Sequence, residues 1–285
     1  MAGMKKIDGL AVEEHGDGPA VVLVHAGIAD RRMWRHQVAH LAPTHRVITY
    51  DWRGHGDSDD PHGPVTHHLD LLTVMDALGV EQAVLAGCSM GGSHAVEAAL
   101  AQPHRVRGLA LISSGLSGHT WPPEMIAQVR ERVHTVIPAE RLAAYRERRA
   151  VPRPADVAAY ARAHTAWQVA GPERDPADLD PQVWELAVDM LTRLLTRQWS
   201  APAPVEHDLA AERRLGEITA PTLVINGLDD VPAIQEVSTV LASGIAGARR
   251  VDLPGTGHLP PLQRPAEVNA ALTAWLRSLS SPRWP

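Results

Sequence analysis

The stretch that most constrains this chain runs from Ala83 to Leu100. A short apolar run, Ala83-Val84-Leu85-Ala86, passes through Gly87-Cys88-Ser89-Met90-Gly91-Gly92 into the helix-like Ser93-His94-Ala95-Val96-Glu97-Ala98-Ala99-Leu100. A strand that feeds straight into a helix, with glycines two before and two after a serine, has the layout of a nucleophile elbow with Ser89 at its tip. Such a turn strains its central residue, and a side chain at either flanking position would collide with the neighbouring strand or helix, so Gly87 and Gly91 are required on steric grounds. The Ser89 hydroxyl then stands above a sheet and at a helix N-terminus, where amide dipoles favour developing negative charge. In a chain with 22 glycines the string alone is cheap. Its weight comes from what precedes and follows it.

Before the elbow, Lys5–Ile7 and Leu10–Glu13 flank Asp8-Gly9, a dipeptide suited to a tight hairpin turn. Ala20–Val24 is too continuously apolar for an exposed strand and reads as a central one, ending in His25-Ala26-Gly27. Val47–Tyr50 is a further strand, followed by the polar, glycine-punctuated loop Asp51–Ser58. Thr66–Leu78 has helical spacing and stops at Gly79. After the elbow helix, closed by Pro103, Val106–Ile112 is another buried strand. From about 115 to 215 strand-like runs disappear, and helical stretches follow one another at Pro123–Val136, Glu140–Arg149, Ala155–Ala170 and Pro181–Trp199. Strands return at Thr222–Asn226 and Arg249–Leu253, with a last helix over Ala266–Leu279 and a frayed Pro-rich tail after Ser280. Strands alternating with helices predict an α/β fold, a doubly wound and mostly parallel sheet. Residues 1–115 and 215–285 form its core, and 116–214 an inserted helical cap.

A formal net charge of −6 argues against nucleic acid as partner, and the arginines of Arg141–Arg153 read as a solvated helix face. The one cysteine, Cys88, excludes an internal disulfide and fits a reduced, cytoplasmic setting. No apolar run approaches the roughly 20 residues that span a bilayer, and Met1–Glu14 lacks the apolar core of a signal peptide, so no membrane association is expected. His67-His68 lacks the spacing of a metal site and reads as a surface pair, while His94 and His119 are candidates for a pocket mouth. No metal or cofactor is implied. The expected partner is a small-molecule substrate, and the expected assembly a monomer or small homo-oligomer.

A serine hydroxyl is a poor nucleophile near neutral pH and needs a histidine, itself oriented by a carboxylate. Open α/β sheets place reactive groups at the carboxyl ends of their strands. Two such ends remain: Asn226-Gly227-Leu228-Asp229-Asp230 and Leu253-Pro254-Gly255-Thr256-Gly257-His258. With His25-Ala26-Gly27, the Asp51–Ser58 loop and Gly87-Cys88-Ser89-Met90-Gly91-Gly92, these motifs make the chain resemble a capped α/β-hydrolase fold enzyme, with an eight-stranded type of sheet. The resemblance covers about 5–115 and 215–280. It implies Ser89 as nucleophile, His258 as base and Asp230 as its acid, three residues after the glycine, with Asp229 as competitor. It also implies an oxyanion hole made by the backbone amides of Gly27 and Met90. Ala26 stands where the family usually has glycine, a departure that keeps the amide donor. His25 and Arg53 read as structural rather than catalytic.

Serine at the elbow implies an acyl-enzyme; the alkyl-enzyme esters of haloalkane dehalogenases and epoxide hydrolases need a carboxylate there. The reading is a cofactor-independent hydrolase of carboxylic esters or lactones. The alternatives are a hydrolase of carbon–carbon bonds in ring-fission products, or a non-hydrolytic lyase or receptor on the same scaffold. Ala26, Ile28, Trp121, Trp167, Trp184 and Trp199 are the expected pocket residues.

Overall fold

The computed structural model describes residues 3–201 and 203–279; the expected fraying after Ser280 lies outside them. Eight strands form one sheet: β1 Lys5–Ile7, β2 Leu10–His15, β3 Ala20–Val24, β4 Arg46–Tyr50, β5 Ala83–Cys88, β6 Val106–Ile112, β7 Thr222–Gly227 and β8 Arg249–Leu253. Their spatial order is β1-β2-β4-β3-β5-β6-β7-β8, with the β1·β2 and β2·β4 pairs antiparallel and every other pair parallel. Asp8 and Gly9 both have positive φ, as the two-residue turn between β1 and β2 demands. β2 runs two residues past Glu13, to His15, because pairing with β4 (Glu14↔Ile48, His15↔Val47) carries it on.

Among the described residues ten α-helices flank or extend the sheet: α1 Arg35–Leu41, α2 His67–Ala77, α3 Met90–Ala101, α4 Pro123–Arg132, α5 Ala139–Arg146, α6 Pro154–His164, α7 Pro181–Gln198, α8 Pro232–Gly244, α9 Pro260–Gln263 and α10 Pro265–Leu279. α1 has no clear signal in the sequence pattern, being short and carrying arginine, histidine and glutamine among its apolar residues. Two apolar layers cover the sheet. Leu71, Met75, Val96 and Val237 lie in one, and Met33, Trp34, Leu272 and Trp275 in the other. A third cluster, built on Tyr145, Tyr160, Trp167, Leu191 and Trp199, belongs to the helices between β6 and β7 and reaches Ile234 of α8.

The chain leaves β3 for β4 on one side and comes back to β5 on the other, so the order reverses between β3 and β5. Ligands of open α/β sheets bind at such a point, outside the carboxyl ends of the strands. Val24 pairs with Gly87 there, which brings the segment after β3 alongside the elbow after β5. Gly227 pairs with Leu253 two strands further on, so the loops after β7 and β8 emerge on the same edge.

Candidate active site

Ser89 sits at φ 52°, a conformation seldom taken by a residue with a side chain. The neighbouring strands hold it there. Its amide donates to Ile112 O at 3.0 Å, and its carbonyl accepts from Gly92 and Gly115 at 2.9 and 2.8 Å. A Cβ at Gly87 would meet the Gly91 carbonyl, and one at Gly91 would meet the Val24 and His25 carbonyls, so both glycines are sterically compelled. Beneath the turn Cys88 is wholly enclosed and donates to His258 O at 3.7 Å. Burial, with the Asp230 charge as a lesser cause, pushes its thiol pKa well up, so it is not a competing nucleophile.

One chain of hydrogen bonds joins the three strand-end loops. Ser89 Oγ donates to His258 Nε2 at 2.8 Å, and His258 Nδ1 donates to Asp230 Oδ2 at 2.8 Å. Asp230 Oδ1 accepts from the Val231 amide at 2.7 Å, so both carboxylate oxygens are held. Asp230 is 1% exposed and His258 is fully buried. Asp229 turns away, its carboxylate 3.4 Å from the Arg174 guanidinium, and makes no bond to the imidazole.

Gly27 and Met90 both line a cavity of about 370 Å³ that opens on Ser89 and His258. They are close neighbours: a Cβ at position 27 would lie 3.2 Å from Met90 Cγ. Neither amide donates to an acceptor among the described residues. Ile28, Trp121 and Trp167 line the same cavity, with Met125, Val129 and Ile234.

Three expected pocket residues lie elsewhere. Ala26 is fully buried in the core layer with Met33 and Trp34, and its amide donates to Met33 Sδ at 3.3 Å. Trp184, on α7, packs between the sheet layer and the helical cluster. Trp199 stacks on Tyr145, centroids 5.4 Å apart, and lines a separate cavity of about 340 Å³ with Arg53, Arg146, Arg148 and Arg197. The count of tryptophans in that segment says nothing of their directions; helix packing turned two of the four away.

His67 and His68 are also not a surface pair, being 7% and 4% exposed. His68 Nδ1 donates to Glu97 of α3 at 3.0 Å, and His67 packs on Trp52 and His94. A partner contributed by a neighbouring helix leaves no trace in the local pattern. His94 and His119 line a third cavity, next to the Ser89 one and sharing Met90 and Trp121 with it. His25 accepts from the Trp52 amide at Nε2 and donates from Nδ1 to Ala26 O at 2.8 Å, tying the loop after β3 to that after β4. Arg53 pairs with Asp8 and Asp70, joining the first hairpin to α2. Among the described residues no group of three or more His, Cys, Asp or Glu side chains is arranged to hold a metal ion, and no helix is long and apolar enough to cross a membrane.

Two wall residues that the sequence did not single out are His164 and Gln168. α6 runs straight into a π-helical turn, Thr165–Ala170, that carries Trp167 and Gln168 to the cavity. The Gln168 carbonyl accepts from the His258 amide at 3.3 Å, and Gln263 Nε2 donates to Val169 O at 2.6 Å.

The alpha/beta hydrolase fold model matches residues 19–265. The chain is 31% identical over 254 residues to a putative carbamate hydrolase, RutD, of Azorhizobium caulinodans, covering 87% of this chain and 88% of that one. Among solved structures it superposes on a thermophilic esterase of Thermogutta terrifontis with TM-score 0.75 and 29% identity, covering 98% of each chain. The enol-lactonase of Burkholderia xenovorans LB400 gives TM-score 0.66 at 25% identity, over 96% of this chain and all (100%) of that one. With the sheet order, the elbow and the family match in agreement, this chain belongs to the alpha/beta hydrolase fold family.

Proposed function

We propose that the protein is a cofactor-independent serine hydrolase of small-molecule carboxylic esters or lactones. The observation that carries this reading is the hydrogen-bond chain Ser89–His258–Asp230 opening onto a largely apolar cavity beside two uncommitted backbone amides. His258 takes the Ser89 proton as Oγ attacks the carbonyl carbon, and Asp230 stabilises the imidazolium that forms. The Gly27 and Met90 amides receive the tetrahedral oxyanion; donors of this kind contribute roughly 10²- to 10³-fold in kcat each. His258 then protonates the leaving alkoxide. Water enters, gives its proton to His258 and attacks the acyl-enzyme, and the Ser89 oxygen leaves reprotonated.

The helices of 116–214 are, in this proposal, a cap that closes over Ser89. Trp121, Met125, Val129 and Trp167 all come from that segment, and an apolar roof that excludes water strengthens the oxyanion hydrogen bonds. A cytoplasmic setting accords with the single, buried thiol. The enol-lactonase and esterase likenesses favour ester and lactone bonds over carbon–carbon bonds.

The test is hydrolysis of 4-nitrophenyl esters of increasing acyl length, with fluorophosphonate labelling mapped by mass spectrometry. Turnover with label on Ser89 supports the proposal. Label without turnover of esters or lactones directs the search to carbon–carbon substrates, and absence of both favours the receptor or lyase reading.

A further inference from the structure

Tryptophans and methionines aside, six side chains with polar atoms line the Ser89 cavity: Ser89, Ser113, Ser114, His164, Gln168 and His258. Ser89 and His258 bond to each other, and Ser114 Oγ donates to Gly115 O at 2.7 Å. Ser113 is fully buried, its hydroxyl enclosed. His164 Nε2 lies 2.9 Å from Gln168 Oε1. The Gln168 amide nitrogen has no acceptor among the described residues.

The orientation of that carboxamide follows from the imidazole. Burial holds the His164 pKa at about 4, so it carries a single N–H. Its Nδ1 is enclosed with no partner. A proton there would be a buried donor without an acceptor, which is rarer and costlier than an idle lone pair. The proton is therefore on Nε2, Gln168 Oε1 accepts it, and the NH₂ of Gln168 is left for whatever fills the cavity. Gln168 also belongs to the His258 side of the site, through its carbonyl bond to the His258 amide. That is the side on which the leaving oxygen must receive its proton.

We infer that Gln168 donates a hydrogen bond to an acceptor oxygen in the alcohol portion of the substrate, and that the preferred substrates are esters or lactones bearing an ether, carbonyl or hydroxyl oxygen close to the scissile bond on that side. The inference rests on the proposed ester or lactone chemistry at Ser89. The other polar wall atoms are bonded to protein or, like Ser113 Oγ, enclosed, and the remaining walls are mostly apolar, so a donor in this position selects for one acceptor rather than for a polar substrate in general.

The experiment compares kcat/KM for 2-ethoxyethyl butanoate and pentyl butanoate, two esters of equal chain length, by pH-stat titration. The ether-to-alkyl ratio of the wild type should fall about 3- to 10-fold in Gln168→Leu, the range of one neutral hydrogen bond. Gln168→Glu keeps the shape, accepts from His164 and presents oxygen in place of NH₂, so its ratio should fall too, and it serves where the leucine variant folds poorly. Wild type that hydrolyses both esters with a ratio that neither variant changes overturns the inference and leaves the ester reading standing. Wild type that hydrolyses neither, nor any 4-nitrophenyl ester, overturns both.

Discussion

Ser89 Oγ stands 2.8 Å from His258 Nε2, although the two residues are 169 positions apart in sequence. If that contact is the proton path, Ser89→Ala should lower kcat by roughly 10⁴- to 10⁶-fold, in the range of other triad deletions. Steady-state kinetics on a 4-nitrophenyl ester measures it. Fluorophosphonate that labels the alanine variant as fully as wild type would show that another residue carries the adduct.

The two neighbouring aspartates should separate sharply. Asp230 is bonded to the imidazole and Asp229 to Arg174, so Asp230→Asn, which favours the wrong imidazole tautomer, should cost about 10⁴-fold in kcat. Asp229→Asn should stay within a few-fold of wild type. The reverse ranking would transfer the orienting role to Asp229.

The tryptophans divide into two classes of phenotype. Trp121→Ala and Trp167→Ala should reorder kcat/KM among acyl groups, because both rings wall the Ser89 cavity. Trp199→Ala removes a buried ring stacked on Tyr145 and set edge-on to Tyr160, and should cost about 3–5 kcal/mol of stability instead. Substrate profiles together with urea unfolding separate the two. An altered acyl ranking in a fully stable Trp199→Ala would contradict the division.

Acid should destabilise the fold through histidines that do not line the Ser89 cavity. Burial holds the pKa of His25 and His94 well below the ordinary value, with neighbouring histidines as smaller causes, and brings His55 to about 4 against the opposing pull of its backbone hydrogen bonds. Native His55 therefore stays neutral where the unfolded chain, with a histidine pKa near 6.5, takes up a proton. Its contribution is fully present above about pH 6.5 and lost as pH falls toward 4, amounting to about 3 kcal/mol. Urea midpoints at pH 7.5 and 5.0 should show the loss, and His55→Gln should show less of it. Equal slopes in wild type and variant would exonerate His55.

What was legible in the sequence was whatever local chemistry determines. The buried strands announce themselves as unbroken apolar runs, and the elbow by its two glycines, since no other residue fits beside the Gly91 and Val24 carbonyls. Ser89, Asp230 and His258, which the structure brings into one hydrogen-bond chain, stood out as candidates because each lies in the turn just after a strand that the apolar pattern predicts. Contacts between elements were not legible. His68 needed Glu97 from another helix, Trp199 needed Tyr145 and Tyr160, and Ala26 turned inward on Met33. The π turn that presents Gln168 has no period of its own to read, and in the sequence it is indistinguishable from the end of the helix over Ala155–Ala170.

That turn has a mechanical consequence. A Cβ at Gly257, just before His258, would run into the Val169 carbonyl, and one at Gly171 into the Asp229 carbonyl, so backbone lies on backbone at both loops that carry the proposed acid and base. Side chains can slide past one another, whereas main chains in such contact move only together. If the 116–214 helices cap the site as proposed, their Thr165–Ala170 end is thus a fixed abutment. A doorway for substrate has to be sought at the other margin, along Pro123–Arg132, which contributes Met125 and Val129 to the cavity and has no fully buried residue to anchor it.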